Sequence, residues 1–129
     1  MRSEISLADG SQALSHYTDA VRFNDLLFVS GVVALDSANN IVAPGDAVGQ
    51  TDFILSTMGK ILAQAGAGFA DVLRVTIYLL HVEDRVRINH VRQQYFGETR
   101  PASTLIEVSA LALPGLLVEI EAVAGIPSR

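Results

Sequence analysis

Cysteine is absent from all 129 residues. That excludes a disulfide framework, a thiolate zinc site and a cysteine nucleophile together. Basic clusters are absent as well. The nine Lys and Arg residues are scattered along a chain of net charge −5. An acidic surface repels phosphate backbones, so nucleic acid is not an expected partner. No apolar run approaches the roughly 18 residues of a membrane span. The opening MRSEISLADGSQ lacks the apolar core of a signal peptide. The expectation is a soluble, cytoplasmic protein with no membrane partner.

Charge itself is scarce. Charged residues make up 18% of the chain and hydrophobic ones 50%, against a usual charged share of roughly 25%. A small domain has much surface to cover, so this shortage suggests that part of the surface is buried against other copies of the chain. The length fits one domain, residues 1–129, with a core large enough to need no metal or disulfide staple.

The first third of the chain reads as strands. Ala20 to Phe23 and Leu26 to Ser30 flank Asn24-Asp25, a two-residue hairpin turn. Val32 to Leu35 extends the second strand beyond Gly31. Asp46 is placed to cap a helix whose residues Ile54, Leu55, Met58, Ile61, Leu62 and Ala65 form one apolar stripe. Gly66 and Gly68 end it. Residues 72–80, VLRVTIYLL, are branched, aromatic and short, which predicts a strand. Its alternation sets Leu73, Val75, Ile77 and Leu79 on one face, with Val72, Arg74, Thr76, Tyr78 and Leu80 on the other. Glu83 or Asp84 opens a second helix, striped by Ile88, Val91 and Tyr95 and ended by Gly97. Strands over roughly 102–109 and 116–124 close the chain. The expected class is α+β, with two helices packed on one face of a mixed sheet.

The opposite sheet face is harder to read. Alternation assigns it Glu119, Glu121, Arg74, Thr76 and Tyr78, and on the penultimate strand Ser103, Leu105 and Glu107. One reading is a partly solvated surface on which Arg74 pairs with a glutamate. The other is a subunit interface whose polar groups line a pocket. Carboxylates in such a pocket would have raised pKa values and serve as general acid or base.

Few other residues suggest chemistry. His16, His81 and His90 do not match a zinc pattern, and no metal site is expected. Ser30-Gly31 has no nucleophile elbow around it, so it either ends a strand or opens backbone to a ligand. Tyr17 either covers a core edge or orients a ligand with its hydroxyl. Asn89 is a poor mid-helix residue, which draws attention to it. In RPASTLIEV, residues 100–108, Arg100 precedes proline and either leads into a strand or does chemistry.

The ending PASTLIEVSALALPGLLVEIEAVA resembles the signature of the RidA family, also called YjgF/YER057c/UK114 or endoribonuclease L-PSP. Tyr17, LLFVSG ending at Ser30-Gly31, the Asn89 helix and Glu119 fall in the same order as matching family features, so the resemblance spans nearly the whole chain. It implies a chorismate-mutase-like fold and a homotrimer with a central barrel-like core. It implies ligand clefts between subunits and the hydrolysis of reactive enamines and imines without metal or organic cofactor. Carried over by position, Tyr17, Ser30 and Gly31 would line the cleft, Asn89 would lie near it, and Glu119 would hold the attacking water.

One departure stands out. Where the archetypal motif has proline, a small residue, arginine and Ser/Thr, this chain has Pro101, Ala102, Ser103 and Thr104, followed by Leu105. The residue expected to grip a substrate carboxylate is thus Ser103. Ser103 and Thr104 would donate hydrogen bonds and Leu105 would favour a more apolar substrate. Two functions follow: a divergent imine or enamine deaminase, or a non-catalytic trimer binding a small metabolite in the same clefts.

Overall fold

The computed structural model describes residues 1–7 and 14–128. Among them run β1 (Arg2–Ile5), β2 (Ala20–Phe23), β3 (Leu26–Val33), α1 (Ala47–Gln64), β4 (Val72–Leu79), α2 (Arg85–Phe96), β5 (Ala102–Glu107) and β6 (Val118–Gly125). The strands form one mixed sheet in the order β1-β2-β3-β6-β4-β5. Only β4 and β5 pair in parallel. Parallel neighbours need a crossover, and α2 supplies it. Both helices pack on one face of the sheet, so the α+β expectation holds. No helix among the described residues is long and apolar enough to cross a membrane.

Local chemistry explains most boundaries. At the β2–β3 turn Asn24 adopts φ 54°, a left-handed conformation that asparagine tolerates well. The Asp46 carboxylate accepts the Gly49 N–H at 3.0 Å and caps α1, an arrangement worth about 1 kcal/mol. At the other end Gly66 takes φ 79°. The Gly66 N–H then reaches the Ala63 carbonyl, and the Ala67 N–H the Leu62 carbonyl, which closes the helix in a Schellman motif. Gly68 instead begins a short 3-10 turn, Phe69–Asp71.

The core lies between the helices and the sheet. Leu27, Val29 and Val32 of β3, Val75, Ile77 and Leu79 of β4, and Val118, Ile120 and Ala122 of β6 meet the α1 stripe and Ile88 and Val91 of α2. Each fully buried aliphatic contributes about 1.5–3 kcal/mol. Buried Gln50 joins α1 to the loop before β6. Its amide donates to the Gly115 carbonyl at 3.0 Å, and its carbonyl accepts the Leu117 N–H at 2.8 Å.

The structure corrects the sequence reading in several places. β1 was not anticipated; it pairs with β2 at the sheet edge. At the start of β4 a register shift between Val72 and Arg74 exchanges two side chains. Val72 is buried, and Leu73 is 53% exposed instead of lying on the core face. The larger correction concerns β5. Ser103 pairs with Val75, Leu105 with Ile77 and Glu107 with Leu79, so these three share the helix-covered face. Ala102, Thr104 and Ile106 take the open face instead. The cause is a weak pattern: Leu105 and Ile106 are adjacent, so either register buries one apolar side chain and exposes one. Glu107 accordingly accepts the Val82 N–H at 2.9 Å, at the turn before α2.

Candidate functional site

Glu119 sits on the open face of β6, opposite Val33 on β3 and Tyr78 on β4. The β3 strand is irregular here. Its register against β6 shifts between Val29 and Val32, which places Ser30 and Gly31 in a bulge. Gly31 is required by close approach: a Cβ there would stand 2.2 Å from Glu119 Oε2. The glycine therefore lets the carboxylate lie against the β3 backbone.

The same bulge borders a cavity of about 160 Å³. β2 leaves β3 at Val29, and the preceding loop takes over. The Ser30 N–H donates to the Asp19 carbonyl, and the Ser30 hydroxyl donates to the Thr18 carbonyl at 2.6 Å. Tyr17, Asp19, Ser30 and Gly31 face Thr57 and Lys60 of α1 across the cavity. Tyr17 is 48% exposed. Tyr17, Ser30 and Gly31 thus border one cavity, whereas Glu119 does not line it and meets this group at Gly31.

Electrostatics at Glu119 favour proton transfer. Burial holds its pKa above the ordinary glutamate value, and the Glu121 carboxylate adds to the effect. The Tyr78 hydroxyl beside them is also shifted upward, first by burial and then by Glu121. Arg74 does not relieve this charge. It donates to the Thr104 hydroxyl at 3.2 Å, and the ion pairs among the described residues are Arg2–Glu4 and Arg87–Asp84. The Arg74–glutamate pair, one of the two readings of this face, is therefore not formed. Thr104 lies on this open face, two strands from Glu121 in the row Glu121–Thr76–Thr104, or roughly 10 Å away at the usual strand spacing.

The remaining candidates lie on the other side of the sheet. Leu105 packs against the core edge. The Ser103 hydroxyl accepts a hydrogen bond at 2.9 Å from Arg92 of α2. Asn89 and Arg92 border a second cavity of about 260 Å³, together with Arg100 and Pro101. Arg100 is thus not only a lead into β5. Arg92 went unnoticed in the sequence, although a signal existed: Asn89, Arg92, Gln93 and Phe96 recur at three, four and seven residues and share a helix face. Within one chain Glu119 and Ser103 lie on opposite faces of the sheet, and the cavity bordered by Tyr17, Ser30 and Gly31 lies against α1.

The open face also carries exposed apolar side chains. Phe23 pairs with Leu26, and Phe28 follows two residues on. All three are more than 40% exposed, as are Leu73 and Ile106. Phe23, Leu26, Phe28 and Leu73 lie toward one end of this face, and Ile106 lies further along β5.

The family model described as Endoribonuclease L-PSP matches residues 8–126. The 3-aminoacrylate deaminase RutC of Acinetobacter baylyi is 38% identical over 125 residues, covering 96% of this chain and 98% of that protein. The 2-iminobutanoate/2-iminopropanoate deaminase of Capra hircus is 35% identical over 124 residues, covering 96% of this chain and 90% of that protein. Among solved structures, a Rid-family protein of unknown function from Yersinia pestis superposes with a TM-score of 0.90 at 31% identity, over 98% of this chain and all of that one.

Proposed function

Because this chain belongs to the endoribonuclease L-PSP family, also known as RidA or YjgF, we propose that it hydrolyses small imines or enamines to a carbonyl compound and ammonia. The observation that carries this reading is the Glu119 carboxylate, half-buried, unpaired with any cation among the described residues and raised in pKa. Relatives named as deaminases, 35–38% identical over nearly the full length, support the reaction class.

The chemistry needs one water and one group that can take and return a proton. Glu119 accepts a proton as the water oxygen adds to the imine carbon. With the imine entering in its protonated form the adduct is a neutral carbinolamine; it takes that proton back on nitrogen from Glu119, its C–N bond breaks as the hydroxyl proton passes to Glu119, and ammonia leaves with the carbonyl remaining. A carboxylate whose pKa lies nearer the working pH serves both steps better than an ordinary glutamate.

Glu119 and Ser103, on opposite sheet faces, argue that the working site combines more than one copy of the chain. We assign the exposed apolar face to contacts within a homotrimer, with the substrate held in clefts between subunits. Sedimentation equilibrium should give three times the chain mass; a monomer at micromolar concentration would sink this part.

The activity test generates imines in situ from amino acids with an amino-acid oxidase and follows their decay. Acceleration by the protein is expected. Glu119→Gln keeps the shape and loses the carboxylate, so turnover should fall about 100-fold or more. Undiminished turnover in that variant would remove Glu119 from the mechanism. No acceleration by the wild type would favour a binding role.

A further inference from the structure

We propose that Arg92, projecting from α2 rather than from a strand, is the carboxylate-binding residue of this protein. It would act with Arg100 at the cavity between α2 and the start of β5. The choice of a carboxylate as ligand rests on the imine-hydrolase reading above. The case for an anion site rests on the cavity alone.

Two arginines, Arg92 and Arg100, line this cavity, and no Asp or Glu does. That concentration of positive charge is unusual in a chain with 14 acidic and nine basic residues. Arg92 forms no ion pair among the described residues. Its guanidinium is half-buried, and burial alone lowers its pKa, with no carboxylate acting in the other direction. Structural arginines in such positions ordinarily meet an acid. Here the partner is neutral: Arg92 Nη2 donates to Ser103 Oγ at 2.9 Å. That contact holds one arm of the guanidinium and leaves other N–H groups of the fork for a planar, two-oxygen anion. Asn89, Gln93 and Thr99 add neutral polar groups around the same space.

The geometry also gives Ser103 a different role. An arginine at position 103 would set a second guanidinium against Arg92, whereas serine is short and accepts from it. Ser103 is therefore a positioning residue for Arg92 and need not touch the ligand.

The test titrates the full-length protein with 2-oxobutanoate, a stable analogue of the expected product, by calorimetry. Parallel titrations use 2-butanone, which lacks the carboxylate, and inorganic phosphate. Binding of 2-oxobutanoate should exceed that of both. Arg92→Gln should weaken it about 10- to 100-fold, the range for losing a hydrogen bond to a charged group. Arg92→Lys should fall between, since it keeps the charge and loses the fork. Arg2→Gln removes an equal charge far from the cavity and should bind as wild type. The exchange Arg92→Ser with Ser103→Arg should recover part of the loss. Wild-type affinity in Arg92→Gln would overturn the assignment, and so would equal binding of 2-butanone. Tighter binding of phosphate would overturn the carboxylate. If the wild type hydrolyses no imine, the proposed reaction fails, yet these titrations still decide the role of Arg92.

Discussion

Replacing Gly31 with alanine should separate stability from activity. The added Cβ would meet Glu119 Oε2 at 2.2 Å, and ordinary contact begins near 3.4 Å. The carboxylate must therefore retreat by about 1.2 Å. It is the end of a flexible side chain on a partly open face, so rotation relieves the clash without moving backbone. Gly31 does not need a left-handed conformation, so the substitution also restricts the unfolded chain, a gain of about 0.4–1 kcal/mol. The net stability change should stay within about 1 kcal/mol. Activity should respond much more, because displacing a catalytic group by an ångström lowers rates about 100-fold. Imine hydrolysis and urea denaturation of Gly31→Ala would be measured side by side. In the Glu119→Gln background the same substitution should add little, since the group it displaces has already lost its function. Full activity in Gly31→Ala would refute the idea that the bulge positions Glu119. A loss of several kcal/mol would show instead that Gly31 is needed for folding.

Further outcomes follow from the same geometry. Gln50→Leu leaves the half-buried Leu117 N–H without its partner, while the exposed Gly115 carbonyl can turn to water; at about 1–3 kcal/mol for one unsatisfied buried group, denaturation should give a loss of about 1–3 kcal/mol. Glu119→Gln should raise the melting temperature at pH 7. A carboxyl whose pKa is raised in the folded state favours folding while protonated, and that contribution is lost as pH rises through the folded value. The advantage of the variant should therefore widen above the ordinary value of 4.5 and vanish below it; a gap that grows toward acid would reverse the sign and refute the shift.

The elements with strong patterns were legible in the sequence. The β2–β3 hairpin, the Asp46 cap, the α1 stripe and the Gly66 stop each combine local propensity with a clear apolar period. The meeting of Gly31 with Glu119 was legible only through resemblance, because strand pairing brings the two together across 88 positions of sequence. The face of β5 was not legible. Its side chains alternate too weakly to fix a register, and the parallel partner that does fix it, β4, lies beyond α2. Leu73 was misplaced for a related reason: a bulge changes parity without leaving a mark on the residues around it.

The face that β5 presents bears directly on function. With Ser103, Leu105 and Glu107 assigned to the open face, Ser103 and Glu119 share one surface, and a single chain could hold the whole pocket. The observed register puts Ser103 beneath Arg92, behind the sheet from Glu119. With the sheet between them, a small substrate cannot touch Glu119 and Ser103 together within one copy. The same register puts Ile106 on the open face, though four positions along β5 from the row that holds Phe28 and so apart from Phe23, Leu26, Phe28 and Leu73. The side chain that leaves the core edge thus adds apolar area to the open face, while the one that joins it removes Ser103 from Glu119. If another copy covers that surface, it also desolvates Glu119 further, moving its pKa in the direction that proton transfer requires. Association and catalytic competence would then depend on the same sheet face.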